Sequence, residues 1–73
     1  MDQAKVNEAI LASIDNGYGI LGNLVAAVHK TPGISLEPGQ SALSATLAGL
    51  YVMRDQGVLR YNSVMRRWER VSV

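Results

Sequence analysis

The alternation of apolar and polar positions predicts helices first and a hairpin last. Val6, Ile10 and Ile14 recur every fourth residue, with Ala9 and Leu11 beside them and Lys5, Glu8 and Ser13 off the stripe. That spacing puts the apolar side chains on one face of a helix. Asp2 can cap its start by accepting from free first-turn amides. Asn16-Gly17 ends it, because Gly takes the left-handed closing position without a Cβ penalty. Ile20, Leu21, Leu24, Val25 and Val28 form a wider stripe for a second helix, with Ala26 and Ala27 as good helix formers. Thr31-Pro32-Gly33 stops it, since the residue before Pro is driven out of the α region.

Ile34 and Leu36 then alternate with Ser35 and Glu37, which suggests a short extended piece, a candidate third edge strand against the hairpin. Pro38-Gly39 turns the chain. A third helix follows from Ser41 to Gln56, with Leu43, Leu47, Leu50 and Met53/Arg54 at spacings of three to four and Tyr51 beside them. An alternative start places Pro38 in its first turn with Glu37 as cap. Gly49 lies inside this helix at a cost of about 1 kcal/mol relative to Ala, tolerable where something packs close. Gly57 breaks the helix. Two β-like pieces, Val58–Tyr61 and Arg67–Val73, flank the turn-prone Asn62-Ser63. The expected fold is α+β: three helices and a C-terminal β-hairpin, in one domain over residues 1–73.

At 73 residues, with 48% hydrophobic content and no Phe, the core must come from Leu, Ile, Val, Met, Tyr and Trp68. A core of this size contributes about 3–5 kcal/mol, so a homodimer, through helix one or a strand edge, would add useful stability. The absence of Cys excludes disulfides, thiolate metal sites and a thiol nucleophile, and it fits a cytoplasmic setting. The N-terminus has neither the basic nor the continuous apolar region of a signal peptide, and no apolar run approaches the ~18 residues of a membrane span.

Charge separates the chain into two parts. Residues 1–55 carry Lys5, Lys30 and Arg54 against Asp2, Glu8, Asp15, Glu37 and Asp55, net −2. Residues 56–73 carry Arg60, Arg66, Arg67 and Arg70 against Glu69, net +3. The excess is all Arg, whose forked guanidinium suits phosphate and carboxylate.

The order of elements resembles the winged helix-turn-helix family. Leu50, Met53, Gly57 and Val58 are similar to that family's closing of its recognition helix and opening of its wing. Asn16-Gly-Tyr-Gly-Ile20, Ser35-Leu-Glu-Pro-Gly39 and Asp55-Gln-Gly-Val-Leu59 look like the PadR-type subgroup. The connection between helices two and three departs from the pattern, being about ten residues long where a tight turn is usual.

The resemblance implies a small DNA-binding transcription regulator. The start of helix three would enter the major groove and the wing would lie on the backbone. Gln40, Ser41, Ser44 and Thr46 would then be the exposed groups facing bases and phosphates, with Ala45 and Ala48 allowing close approach. Arg60, Arg66, Arg67 and Arg70 would neutralise phosphates of double-stranded DNA. Residues 40–53 carry no charge, however, and Ser41 and Ser44 equally suit helix capping. The second reading is a protein-binding adaptor of the kind found among phage regulators, docking on host RNA polymerase or another transcription factor. Tyr61, Met65, Arg67 and Trp68 would be its anchors, Trp, Tyr and Arg being common hot-spot residues.

Enzymatic chemistry is not expected. His29 has no nucleophile or carboxylate constellation around it. Gly17, Gly19 and Gly22 are spaced G-x-G-x-x-G but follow a helix, whereas the dinucleotide fingerprint requires a preceding strand. No metal ligand set and no cofactor are expected.

Overall fold

The computed structural model describes residues 3–34, 36 and 38–71. Three helices, α1 (Gln3–Asp15), α2 (Leu21–Lys30) and α3 (Ala42–Asp55), precede two antiparallel strands, β1 (Leu59–Asn62) and β2 (Arg67–Arg70). This is an α+β fold, and its layout is consistent with that of a winged helix. The Asp2 cap expected for α1 lies outside the described residues. Among the described residues no helix is long and apolar enough to cross a membrane.

The core draws on every element. Val6 and Ile10 come from α1, Leu24 and Val28 from α2, Ala45, Leu50 and Met53 from α3, and Leu59 and Trp68 from the hairpin. Each large side chain among these contributes about 1.5–3 kcal/mol on full burial.

Helix α3 begins where a side chain can cap it. Ser41 is extended, and its Oγ accepts from the Ser44 amide at 3.0 Å. This satisfies one of the donors that a helix start leaves open. Pro38 therefore precedes the helix in a turn, and Glu37, the alternative cap, lies outside the described residues.

The inward face of α3 holds Leu50 and Met53 as expected but is wider on its small-residue side, and Leu47 is only half-buried. The face turned inward is Ala42, Ala45, Thr46, Gly49, Leu50 and Met53, the first half-buried and the rest buried. Leu43 is exposed instead of buried. The reason is close packing on α1. A Cβ on Gly49 would lie 2.5 Å from Asn7 Oδ1 and 3.0 Å from Ile10 Cδ1, so only a small-residue face fits there. Gln3 Nε2 donates to the Ala45 carbonyl at 3.5 Å across the same contact.

The hairpin is tied to the helices at two points. The Trp68 amide donates to the Gly19 carbonyl at 2.8 Å, which covers the outer edge of β2 with the α1–α2 connection. A Cβ on Gly19 would collide with the Trp68 carbonyl oxygen, so the approach requires glycine. Arg70 Nε and Nη2 donate to Asp15 Oδ1 and Oδ2 at 2.7 and 3.1 Å, fixing the hairpin base to the end of α1. An acidic residue at a helix C-terminus is unfavourable alone, and the guanidinium offsets it. The third edge strand does not form among the described residues: Ile34 and Leu36 are half-buried against the core, and the sheet has two strands. Ser35 and Glu37 of that expected piece lie outside the described residues, as do Ser72 and Val73 at the expected end of β2.

Candidate functional site

The hairpin has two chemically distinct faces. Leu59 pairs with Arg70, Arg60 with Glu69, Tyr61 with Trp68 and Asn62 with Arg67. Since successive side chains alternate, Leu59, Tyr61, Trp68 and Arg70 share the helix-facing side and Arg60, Asn62, Arg67 and Glu69 the other. On that second face one carboxylate gathers three donors. Glu69 Oε1 accepts from Arg60 Nη2 and Asn62 Nδ2, each at 3.3 Å, and Oε2 accepts from Arg67 Nε at 3.2 Å. The Asn62 bond is the largest cause holding the Glu69 carboxyl below the usual glutamate range; desolvation opposes it, and the bond and charge of Arg67 and the charge of Arg60 add to it.

The tip is shaped by Asn62, whose Oδ1 accepts from the Val64 and Met65 amides at 3.1 and 3.0 Å. Arg66 closes the turn in the left-handed region at φ 54, the one described non-glycine residue with positive φ. That conformation costs an L side chain about 1–2 kcal/mol. Among the described residues Arg66 makes no ion pair.

On the helix-facing side a groove of about 440 Å³ opens between the start of α2, the middle of α3 and the hairpin. Ile20 and Leu21 line one end, Leu47, Tyr51 and Arg54 one wall, and Tyr61, Arg66 and Trp68 the other. Trp68 is only 7% exposed and forms the floor. Two tyrosines stand edge-on to it, Tyr61 at 5.4 Å between ring centres and 61°, Tyr51 at 6.5 Å and 65°. Such edge contacts contribute about 0.5–1.5 kcal/mol each beyond area burial and hold the rings in place. The Arg54 guanidinium sits 5.0 Å from the centre of the Tyr51 ring. Its pairing with Asp55 is 3.4 Å long and exposed on both sides, a contact worth little.

Around the solvent side of α3 further apolar residues are exposed. Leu43, Tyr51 and Val52 are each nearly half exposed, at 46, 46 and 48%, with Ser44 and Ala48 also exposed between them. Val64 and Met65 at the hairpin tip are exposed as well.

Several expected site residues lie elsewhere than the sequence suggested. Thr46 is fully buried, and its hydroxyl donates to the Ala42 carbonyl at 2.7 Å, so it is not available to a base or phosphate. Ala45 is buried too, because the small-residue face of α3 turns inward. Ser41 is occupied as the helix cap; Ser44 is exposed and Gln40 half-buried. Arg60 and Arg67 share Glu69, Arg70 is held by Asp15, and Arg66 alone of the four enters the groove. Of the expected partner residues, Tyr61 is half exposed and Met65 exposed, while Arg67 lies on the far face and Trp68 is a floor instead of a projecting anchor. The sequence reading missed Ile20, Leu47, Tyr51 and Arg54 as site residues. The signal that would have found them is the Ala42–Ala45–Gly49 spacing, a small-residue stripe that competes with the leucines for the inner face.

The chain matches no protein-family model, no curated protein and no solved structure.

Proposed function

We propose that the chain is a small winged-helix-like module that docks on a protein, through the outward face of α3 and the groove between α3 and the hairpin. The observation that carries this is a groove lined by Leu47, Tyr51, Tyr61 and Trp68, with Tyr51 and Tyr61 each about half exposed beside it. Aromatic walls with flanking arginines match the composition of binding hot spots. The resemblance to winged helix-turn-helix domains makes a component of the transcription machinery the class of partner this reading favours. The lack of a catalytic constellation around His29 is the ground for expecting no enzymatic activity, and the absence of Cys that for expecting a cytoplasmic protein.

A second reading, double-stranded DNA binding, rests on one observation: Arg66 projects from the hairpin tip without an acidic partner among the described residues. A wing-tip arginine suits a narrow minor groove. Against it, the outward face of α3 offers bases little beyond Ser44, and three of the four hairpin arginines already hold carboxylates.

Titration of generic duplex DNA over a range of salt separates the two. The slope of log affinity against log salt is about −0.9 per phosphate neutralised. With Arg66 the one hairpin arginine free of a carboxylate among the described residues, the docking reading expects weak binding with a slope no steeper than about −2. A slope near −4 would mean that all four hairpin arginines leave their carboxylates for phosphates, and about that steepness would overturn the reading in favour of DNA.

A further inference from the structure

The charge around the groove says more about its occupant than the apolar walls do. Two arginines line it, Arg54 from α3 and Arg66 from the hairpin turn. The neighbouring acid is Asp55, bound to Arg54 through a long, exposed contact that a better-placed carboxylate can replace. Glu69 is on the opposite face, engaged by Arg60, Asn62 and Arg67. It shields its own face and leaves the groove rim positive.

The backbone at Arg66 points the same way. Asn or Gly would hold the left-handed conformation at lower cost, yet an Arg occupies it. Strain of this kind is most readily understood where the side chain is needed at that spot.

We propose that the groove takes an acidic peptide segment, seating one aromatic or branched aliphatic side chain over Trp68 between Tyr51 and Tyr61, with flanking carboxylates on Arg54 and Arg66. The inference rests on the docking reading and names its partner chemistry. The groove's volume of about 440 Å³ accommodates a bulky side chain together with its flanking backbone. Tyr51 and Tyr61, held edge-on to the indole, give that side chain rigid walls. The two arginines fix the direction of the segment by charge-assisted hydrogen bonds.

The test is selection of a random peptide library on the immobilised full chain, followed by the same selection on the double variant Arg54→Glu/Arg66→Glu. Cooperative unfolding followed by Trp68 fluorescence establishes that the variant is folded. The expected result is enrichment of peptides with an aromatic or branched aliphatic residue between Asp or Glu on the wild-type chain, and of Lys- or Arg-bearing peptides on the variant. A wild-type-selected peptide should bind the variant about tenfold or more weakly. Enrichment without acidic bias, or with a bias that the variant does not invert, overturns the acidic-segment inference and leaves docking standing. No enrichment on either chain overturns docking as well. Displacement of a selected peptide from the wild-type chain by duplex DNA would assign the rim arginines to phosphate, and that also overturns the inference.

Discussion

Gly19 shows how much of this structure turns on a single missing Cβ. Its carbonyl accepts the Trp68 amide at 2.8 Å, and any side chain would run into the Trp68 carbonyl. The contact seats the hairpin on the α1–α2 connection and thereby brings the Trp68 indole under the groove. Gly19→Ala should destabilise the chain by about 1–3 kcal/mol, the usual range for overpacking a tight contact. Urea unfolding followed through the single tryptophan reads this directly. Unchanged stability would mean that the hairpin is held by its core residues and by Arg70–Asp15 alone. At the same scale, Arg66 carries a backbone cost with no ion pair among the described residues, while the other three hairpin arginines are paired.

At the scale of elements, the hairpin separates charge from apolar surface by strand alternation, with Glu69 at the centre of the charged face. Because the folded state depresses the Glu69 carboxyl, this carboxylate contributes stability above its unfolded value near 4.3, and the contribution is lost as pH falls through the lower folded value. Glu69→Gln should therefore be less stable than the wild type at about pH 6, with the gap narrowing toward about pH 3. A gap of equal size at both pH values would show that the carboxylate's charge is not what matters. Helix α3 shows where the sequence was readable and where it was not. Its length, its Gly57 stop and the hairpin after it follow from local signals: spacing, a breaker and a turn-prone Asn62-Ser63. Its rotation about its own axis does not. Leu43 and Leu47 outweigh Ala45, Thr46 and Gly49 in any reading based on hydrophobicity, yet the distance to α1 at Asn7 and Ile10 selects the small face. Tertiary distance turned Ala45, Thr46 and Gly49 inward beside the expected Leu50 and Met53, and it left Leu43 and Tyr51 exposed. The same packing removed Thr46 from the expected DNA-facing residues. The four hairpin arginines were legible as a cluster, but their division among Glu69, Asp15 and the groove depends on strand register and on a partner more than fifty positions away, at Asp15.

For the whole molecule, the close approach of α3 to α1 goes together with the exposure of Leu43 and Tyr51. Ala45, Thr46 and Gly49 let α3 lie close to α1 beside the buried Leu50 and Met53, and Leu47 and Tyr51 line the groove toward the hairpin. The hairpin is bound to the helical body by the Gly19–Trp68 hydrogen bond, by Arg70–Asp15 and by the buried Leu59, so the groove walls are held by several elements at once. A preformed groove costs a partner less ordering on binding than one that must assemble. The docking proposal puts partner contact in this groove, and not on the Arg60/Arg67 face or the start of α3. Backbone amide chemical-shift mapping with a library-selected peptide tests it most directly. Binding in the groove should perturb Ile20, Leu47, Tyr51, Arg54, Tyr61 and Arg66 most strongly. Perturbations centred instead on Gln40 to Ser44, or on Arg60 and Arg67, would contradict it.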